Sequence, residues 1–240
     1  AGGMGLAVVA TFFAPGLQNI LLSVIAIVIG SVGGWLMSNR IKMTDMPQMV
    51  SFFNGMGGAA AALIAVAEVY AMYHGNDLGA AAELLLNPSA TTYFYFTALL
   101  ISLVVGGISF TGSIIAMGKL QGFVSGKSVR WPMQKLTNNG LLVLMAVLMV
   151  LYFVLSNGNE AIIYILLVLS LLFGVLFVMP IGGADMPVVI SLLNSFTGIT
   201  AATTGLLFDN KVMLMGGVLV GASGFLLTVL MCKAMNRSLT

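Results

Sequence analysis

The sequence predicts an all-α fold, a polytopic transmembrane helix bundle of about eight spans with a parallel internal repeat. Three observations carry this. Of the 240 residues, 60% are hydrophobic and only 7% are charged, whereas soluble domains carry about 25% charged residues. The apolar runs are continuous over twenty or more residues rather than alternating, which favours helices over a β-barrel. One short motif also occurs twice, each time at the start of such a run. A mean hydropathy of +1.10 and a net charge of +2 argue against a soluble domain, a disordered chain and a nucleic-acid binder. The single cysteine, Cys232, excludes an intrachain disulfide and a cysteine metal cluster.

Taken in order, apolar runs fall at 2–14, 17–38, 47–73, 92–118, 137–156, 160–180, 186–208 and 211–234. A span needs about 20 residues, so the first is short. The sequence opens at Ala1 with no methionine and no basic stretch ahead of the first run. That is expected of a chain cut inside or before a helix, not of a signal peptide. Pro15-Gly16 separates the first two spans. Ser156-Asn157-Gly158-Asn159 makes the fifth and sixth a tight hairpin, and Pro180-Ile181-Gly182-Gly183 ends the sixth. The longest link, 74–91, is expected to hold a short surface helix at 77–86, rich in Ala, Glu and Leu.

Placing alternate loops on opposite sides sorts the charges. One side receives Arg40, Lys42, Lys119, Lys127, Arg130, Lys135, Lys233 and Arg237, eight of the nine basic residues. The other receives Lys211 with Asp77, Glu83, Glu160 and Asp209. The positive-inside rule makes the first side cytoplasmic, with both ends of the chain on it. Trp35, Tyr70, Tyr73, Tyr93, Tyr95 and Trp131 fall near span ends, as interfacial aromatics do.

The repeat is the strongest internal signal. Asp45-Met46-Pro47, Ser51, Asn54 and Gly58 recur as Asp185-Met186-Pro187, Ser191, Asn194 and Gly198, always 140 residues on. Both copies (45–58 and 185–198) open a span from the cytoplasmic side, which makes the repeat parallel. The aspartate is placed to cap the first turn, and proline is tolerated there. Ser, Asn and Gly at i, i+3 and i+7 share a helical face. Each asparagine lies about 10 Å past the proline, inside the hydrocarbon, where an unpaired polar group is costly. Two readings stay open. The asparagines are interhelical glue, or they line a polar file for water and protons together with Ser51, Ser191 and Ser113. An amide orders water but carries no proton itself.

Other candidates are weaker. Glu68, about 30 Å beyond Pro47, is a possible outer proton entrance or a solvated helix end. His74 lies at the outer loop, and one histidine makes no metal site. Gly55-Met56-Gly57-Gly58 imitates a phosphate loop, but it lies mid-span with no preceding strand, so no cofactor site is expected there. Gly217, Gly221 and Gly224, and the cluster Thr111-Gly112-Ser113, read as helix-packing surfaces. No catalytic triad or paired carboxylate occurs.

Several stretches resemble the membrane part of the β subunit of proton-translocating NAD(P) transhydrogenase. They are Met43-Thr44-Asp45-Met46-Pro47-Gln48-Met49-Val50, Phe110-Thr111-Gly112-Ser113 with Gly118-Lys119-Leu120, Ile181-Gly182-Gly183-Ala184-Asp185-Met186-Pro187-Val188-Val189 with Leu193-Asn194-Ser195, and Met231-Cys232-Lys233-Ala234-Met235-Asn236-Arg237-Ser238. The resemblance implies that 1–240 is a proton-channel domain lacking a first helix upstream and an NADP-binding domain linked after 234. It implies a membrane enzyme part that couples hydride transfer from NADH to NADP⁺ to inward proton movement in a bacterial inner membrane. NAD(H) and NADP(H) would be bound elsewhere in the full enzyme, and no cofactor by this fragment. The implied partners are α subunits with their own membrane helices, the NADP-binding domain, a second αβ unit and the lipid bilayer. The family's intramembrane asparagine falls at Asn194, its cytoplasmic aspartate at Asp185, and basic residues coupling to the NADP domain at Lys233 and Arg237. The family's intramembrane histidine falls at Asn54, so the titratable group is expected from an α-subunit helix. The alternatives are a self-contained secondary transporter, suggested by the repeat and midplane amides, and a passive membrane anchor.

Overall fold

The computed structural model describes residues 2–13, 19–74, 90–154 and 160–236. The break at Pro15-Gly16, the short helix expected at 77–86, the turn at 156–159 and Arg237 lie outside the described residues. The described residues form eight α-helices: α1 (Gly2–Thr11), α2 (Ile20–Arg40), α3 (Met46–His74), α4 (Ala90–Gln121), α5 (Gln134–Val154), α6 (Glu160–Val178), α7 (Met186–Leu207) and α8 (Lys211–Ala234). Seven of them, all but α1, are long and apolar enough to cross a bilayer.

The chain divides into two units after Met46. The first holds α1, α2 and a 3-10 turn, Met43–Asp45. Its α2 buries no side chain, and Leu21, Ile29 and Trp35 stand exposed. The second unit is a bundle arranged around α4, a helix of 32 residues. Leu99, Leu100 and Leu103 of α4 are fully buried with Ile163 and Leu166 of α6 and Met145 of α5. A second cluster joins Ala116 of α4 to Val178, Met186, Val189 and Leu193.

Small residues set how closely these helices approach, because lipid tails supply no hydrophobic drive between them. A Cβ on Gly58 of α3 would lie 2.8 Å from Gly106 O of α4. On Gly174 of α6 it would lie 2.6 Å from Ile108 O of α4, and on Gly217 of α8 2.7 Å from Gly198 O of α7. The packing surfaces expected of Gly217, Gly221, Gly224 and Gly112 are therefore formed.

The repeat is visible in the backbone. Each copy enters its helix through a 3-10 turn, Met43–Asp45 or Gly183–Asp185. The preceding residues have matching angles: φ −79°, ψ 154° at Lys42 and φ −74°, ψ 157° at Gly182. One expectation is corrected here. Asp185 makes no side-chain capping bond to α7. With φ −93° and ψ 0° it lacks the extended backbone that aims a capping carboxylate at the first turn. The 3-10 turn closes that end instead, with Asp185 N–H donating to Gly182 O at 3.0 Å.

Candidate functional site

The repeat residues diverge once their neighbours are considered. Ser51 donates to Ser113 O of α4 at 2.8 Å, and Ser191 donates to Gly224 O of α8 at 3.2 Å. Gly58 packs on Gly106 and Gly198 on Gly217. The matched acceptors and glycines share one offset: 224 − 113 = 111 and 217 − 106 = 111. The repeating unit is thus a helix pair, α3–α4 against α7–α8.

The asparagines are where the pairs differ. Asn54 is 8% exposed. Its Nδ2 donates to Ser113 Oγ at 2.9 Å and lies 3.4 Å from Ser109 Oγ, both on α4. The same offset of 111 puts Val220 and Gly224 where α4 has Ser109 and Ser113. Neither offers a hydroxyl, and Asn194 stands on the exposed face of α7. Its neighbour Ser195 turns inward instead, donating to Gly221 O at 2.6 Å.

Around Asn54 the polar groups form a layer joining three helices. Ser109 Oγ lies 2.6 Å from Thr197 Oγ1 of α7 and 3.1 Å from Leu193 O. Toward the C-terminal end of α7, Thr200 and Thr204 continue along the helix, and Ser102 of α4 meets Thr204 at 3.1 Å. Ser102, Ser109, Thr200 and Thr204 are buried and Thr197 is half-buried, and the threonines of α7 also bond to carbonyls of their own helix. Asn54 Oδ1 is buried without a hydrogen-bond partner among the described residues. The layer therefore offers an open acceptor nine residues into α3, suited to a water or an N–H or O–H donor.

The remaining expected residues separate by end. Glu68 accepts from Tyr95 OH at 3.0 Å toward the C-terminal end of α3. His74 Nδ1 lies 3.9 Å from Glu160 Oε2 there, and Tyr73 OH lies 3.3 Å from Tyr152 OH. At the opposite end Asp185 lines a cavity of about 650 Å³ with Arg130, Ser128, Gly183, Cys232 and Met235. Lys233 is exposed on the last turn of α8. Gly55-Met56-Gly57-Gly58 is mid-helix. A Cβ on Gly55 would touch Ser113 Cβ at 3.1 Å and one on Gly57 Thr197 Cγ2 at 3.1 Å, so these glycines seat α3 against α4 and α7. Sequence reading missed Ser109, Thr197, Ser102 and Thr204. The first was findable, since Ser109 and Ser113 are four apart and share a helical face.

A family model described as NAD(P) transhydrogenase beta subunit matches residues 1–240. The chain belongs to this family. Two curated NAD(P) transhydrogenase beta subunits, one from Rhodospirillum rubrum and one from a named strain of it, are each 38% identical over 237 residues, 99% of this chain. The match takes in 49% of each relative, so the chain spans about half the length of the transhydrogenase subunits it resembles. In this chain the polar layer joins the two helices of one repeat pair to the first helix of the other.

Proposed function

We propose that this chain is the membrane proton-translocating part of an NAD(P) transhydrogenase, in which hydride transfer from NADH to NADP⁺ is coupled to inward proton movement. The observation that carries the reading is the buried acceptor at Asn54 Oδ1, held in place by Ser113 and Ser109. A hydrocarbon layer makes an unmet acceptor costly by several kcal/mol, so the site asks for a donor. Asn194, exposed at the same ninth position of its own helix, asks for a polar neighbour. A membrane helix of the α subunit lying against the exposed face of Asn194 brings a titratable side chain, and water ordered between the helices reaches Asn54 Oδ1 inside the bundle.

In this mechanism the partner's group loads a proton beside Asn54. The amide, with Ser51, Ser113 and Ser191, orients the water that delivers it. Asp185, Lys233 and Arg237 relay the state of the NADP-binding domain at the cytoplasmic end, and Glu68 with Tyr95 stands at the outer entrance. Both ends of the chain face the cytoplasm of a bacterial inner membrane, and two αβ units form the dimer. NAD(H) and NADP(H) bind in other domains of the full enzyme. The test uses that enzyme in proteoliposomes. Asn54→Leu and Asn194→Leu should each lower proton-coupled turnover about tenfold, a coupling loss of typical size. Uncoupled exchange between bound nucleotides should persist. Parental coupled turnover in both variants would reduce the chain to an anchor.

A further inference from the structure

Lys119 is grouped by charge with the solvated basic loops, yet it is only 4% exposed. Its Nζ lies 3.3 Å from Val178 O, 2.5 Å from Met179 O and 2.7 Å from Ile181 O. Among the described residues the one carboxylate–base pair within 4.0 Å is that of His74 and Glu160, so carbonyls alone hold this ammonium. Three acceptors match the three N–H bonds of a charged lysine. They are the last carbonyl of α6 and two just beyond it, at the negative end of the helix dipole, where a cation is favoured.

The same turn is held from a second direction. Val129 N–H donates to Met179 O at 3.2 Å, Ser128 Oγ to Pro180 O at 2.5 Å, and Gly183 N–H to Gly126 O at 2.9 Å. The clamp thus grips the segment that runs directly into Asp185 and α7. Beside Lys119, Leu120 O accepts from Gln48 Nε2 of α3 at 3.4 Å. The end of α4 is therefore where α3, α6 and the start of α7 are tied together.

We propose that Lys119 is a positioning residue. Its ammonium fixes the turn that carries Asp185, and so sets where α7 stands against α4 at the polar layer. A displacement of Asp185 then reaches Leu193 O and Thr197, which Ser109 of α4 contacts 3.1 and 2.6 Å away. The consequence for proton coupling rests on the function proposed above, but the clamp does not.

The experiment uses the full enzyme in proteoliposomes, cysteine-free through Cys232→Ser and any needed changes elsewhere, with Ala184→Cys as reporter. Ala184 is exposed and lines the cavity beside Asp185. Adding Lys119→Met should raise the rate of maleimide labelling at that site and lower coupled turnover, each about tenfold, while uncoupled exchange stays within about twofold. Lys119→Arg, which keeps a cation at the helix end, should fall between. Unchanged labelling and coupling in Lys119→Met overturns the proposal. So does a Lys119→Met chain that fails to insert beside a Lys119→Arg chain with parental coupling, since the cation is then needed only for folding. If Lys119→Met behaves as expected while both asparagine variants keep parental turnover, the clamp stands and the proton layer at Asn54 falls.

Discussion

A primary amide has two donors and one acceptor oxygen to satisfy. In water this costs nothing, but nine residues into a membrane-spanning helix each group needs a named partner. Asn54 Nδ2 finds the serines of α4, and its Oδ1 finds none. Ser113→Ala should therefore act through Asn54. It removes the 2.9 Å bond, destabilises the bundle by about 1 kcal/mol, and leaves the amide free to rotate. Thermal unfolding in detergent together with coupled turnover checks this, and loss of stability without loss of coupling would count against the layer. Gly58 makes the complementary case. Gly58→Ala forces a methyl to within 2.8 Å of Gly106 O, so α3 and α4 must part, at a cost of about 1–3 kcal/mol. A transition unchanged from the parent would show that the helices do not cross at that point.

At the scale of elements, the link between α7 and α8 is three residues long and fully specified by capping. Asp209, with φ 47°, takes the left-handed position. Asn210 N–H reaches back to Gly205 O at 2.8 Å, and Asp209 N–H reaches Leu206 O at 3.3 Å. Those are the two bonds that close a helix in a Schellman turn. Asn210 Oδ1 then accepts from Met213 N–H at 3.0 Å and starts α8. Asn210→Ala should destabilise by about 1 kcal/mol. Asp209→Gly should stabilise by up to about 1 kcal/mol, since glycine adopts a positive φ freely. The opposite order of the two melting temperatures would refute this account of the link. The helix boundaries were legible from apolar run lengths and turn residues, because a span leaves a long signature. The aspartate cap was misread. A 3-10 turn and a capping side chain have the same sequence signature, and only backbone angles distinguish them.

At the scale of the molecule, hydrogen bonds place 126–129 and 179–183 at one end of the second unit, and Cys232 and Met235 share their cavity. Asp209 lies at the far end of α7. In sealed vesicles a membrane-impermeant maleimide should therefore modify Ser125→Cys and Asn236→Cys from one face and Asp209→Cys from the other. Labelling of all three from the same face would break the span order. The charge sorting that predicts this topology includes Lys119, which turns out to be buried. Loop charge counts report which side a residue is on, not whether water reaches it.

Composition and run length determined the helical membrane fold, and constant spacing exposed the repeat, because both are properties of positions along one chain. What the duplicated asparagines bond to was decided by the helices opposite them. Ser109 and Ser113 of α4 draw Asn54 inward, whereas Val220 and Gly224 of α8 give Asn194 nothing to bond to. Two identical motifs thus acquire different surroundings, since a side chain's partners come from whichever surface packs against it. The same holds for Lys119, whose three carbonyls sit about sixty residues away in sequence and come together only when α6 closes against α4.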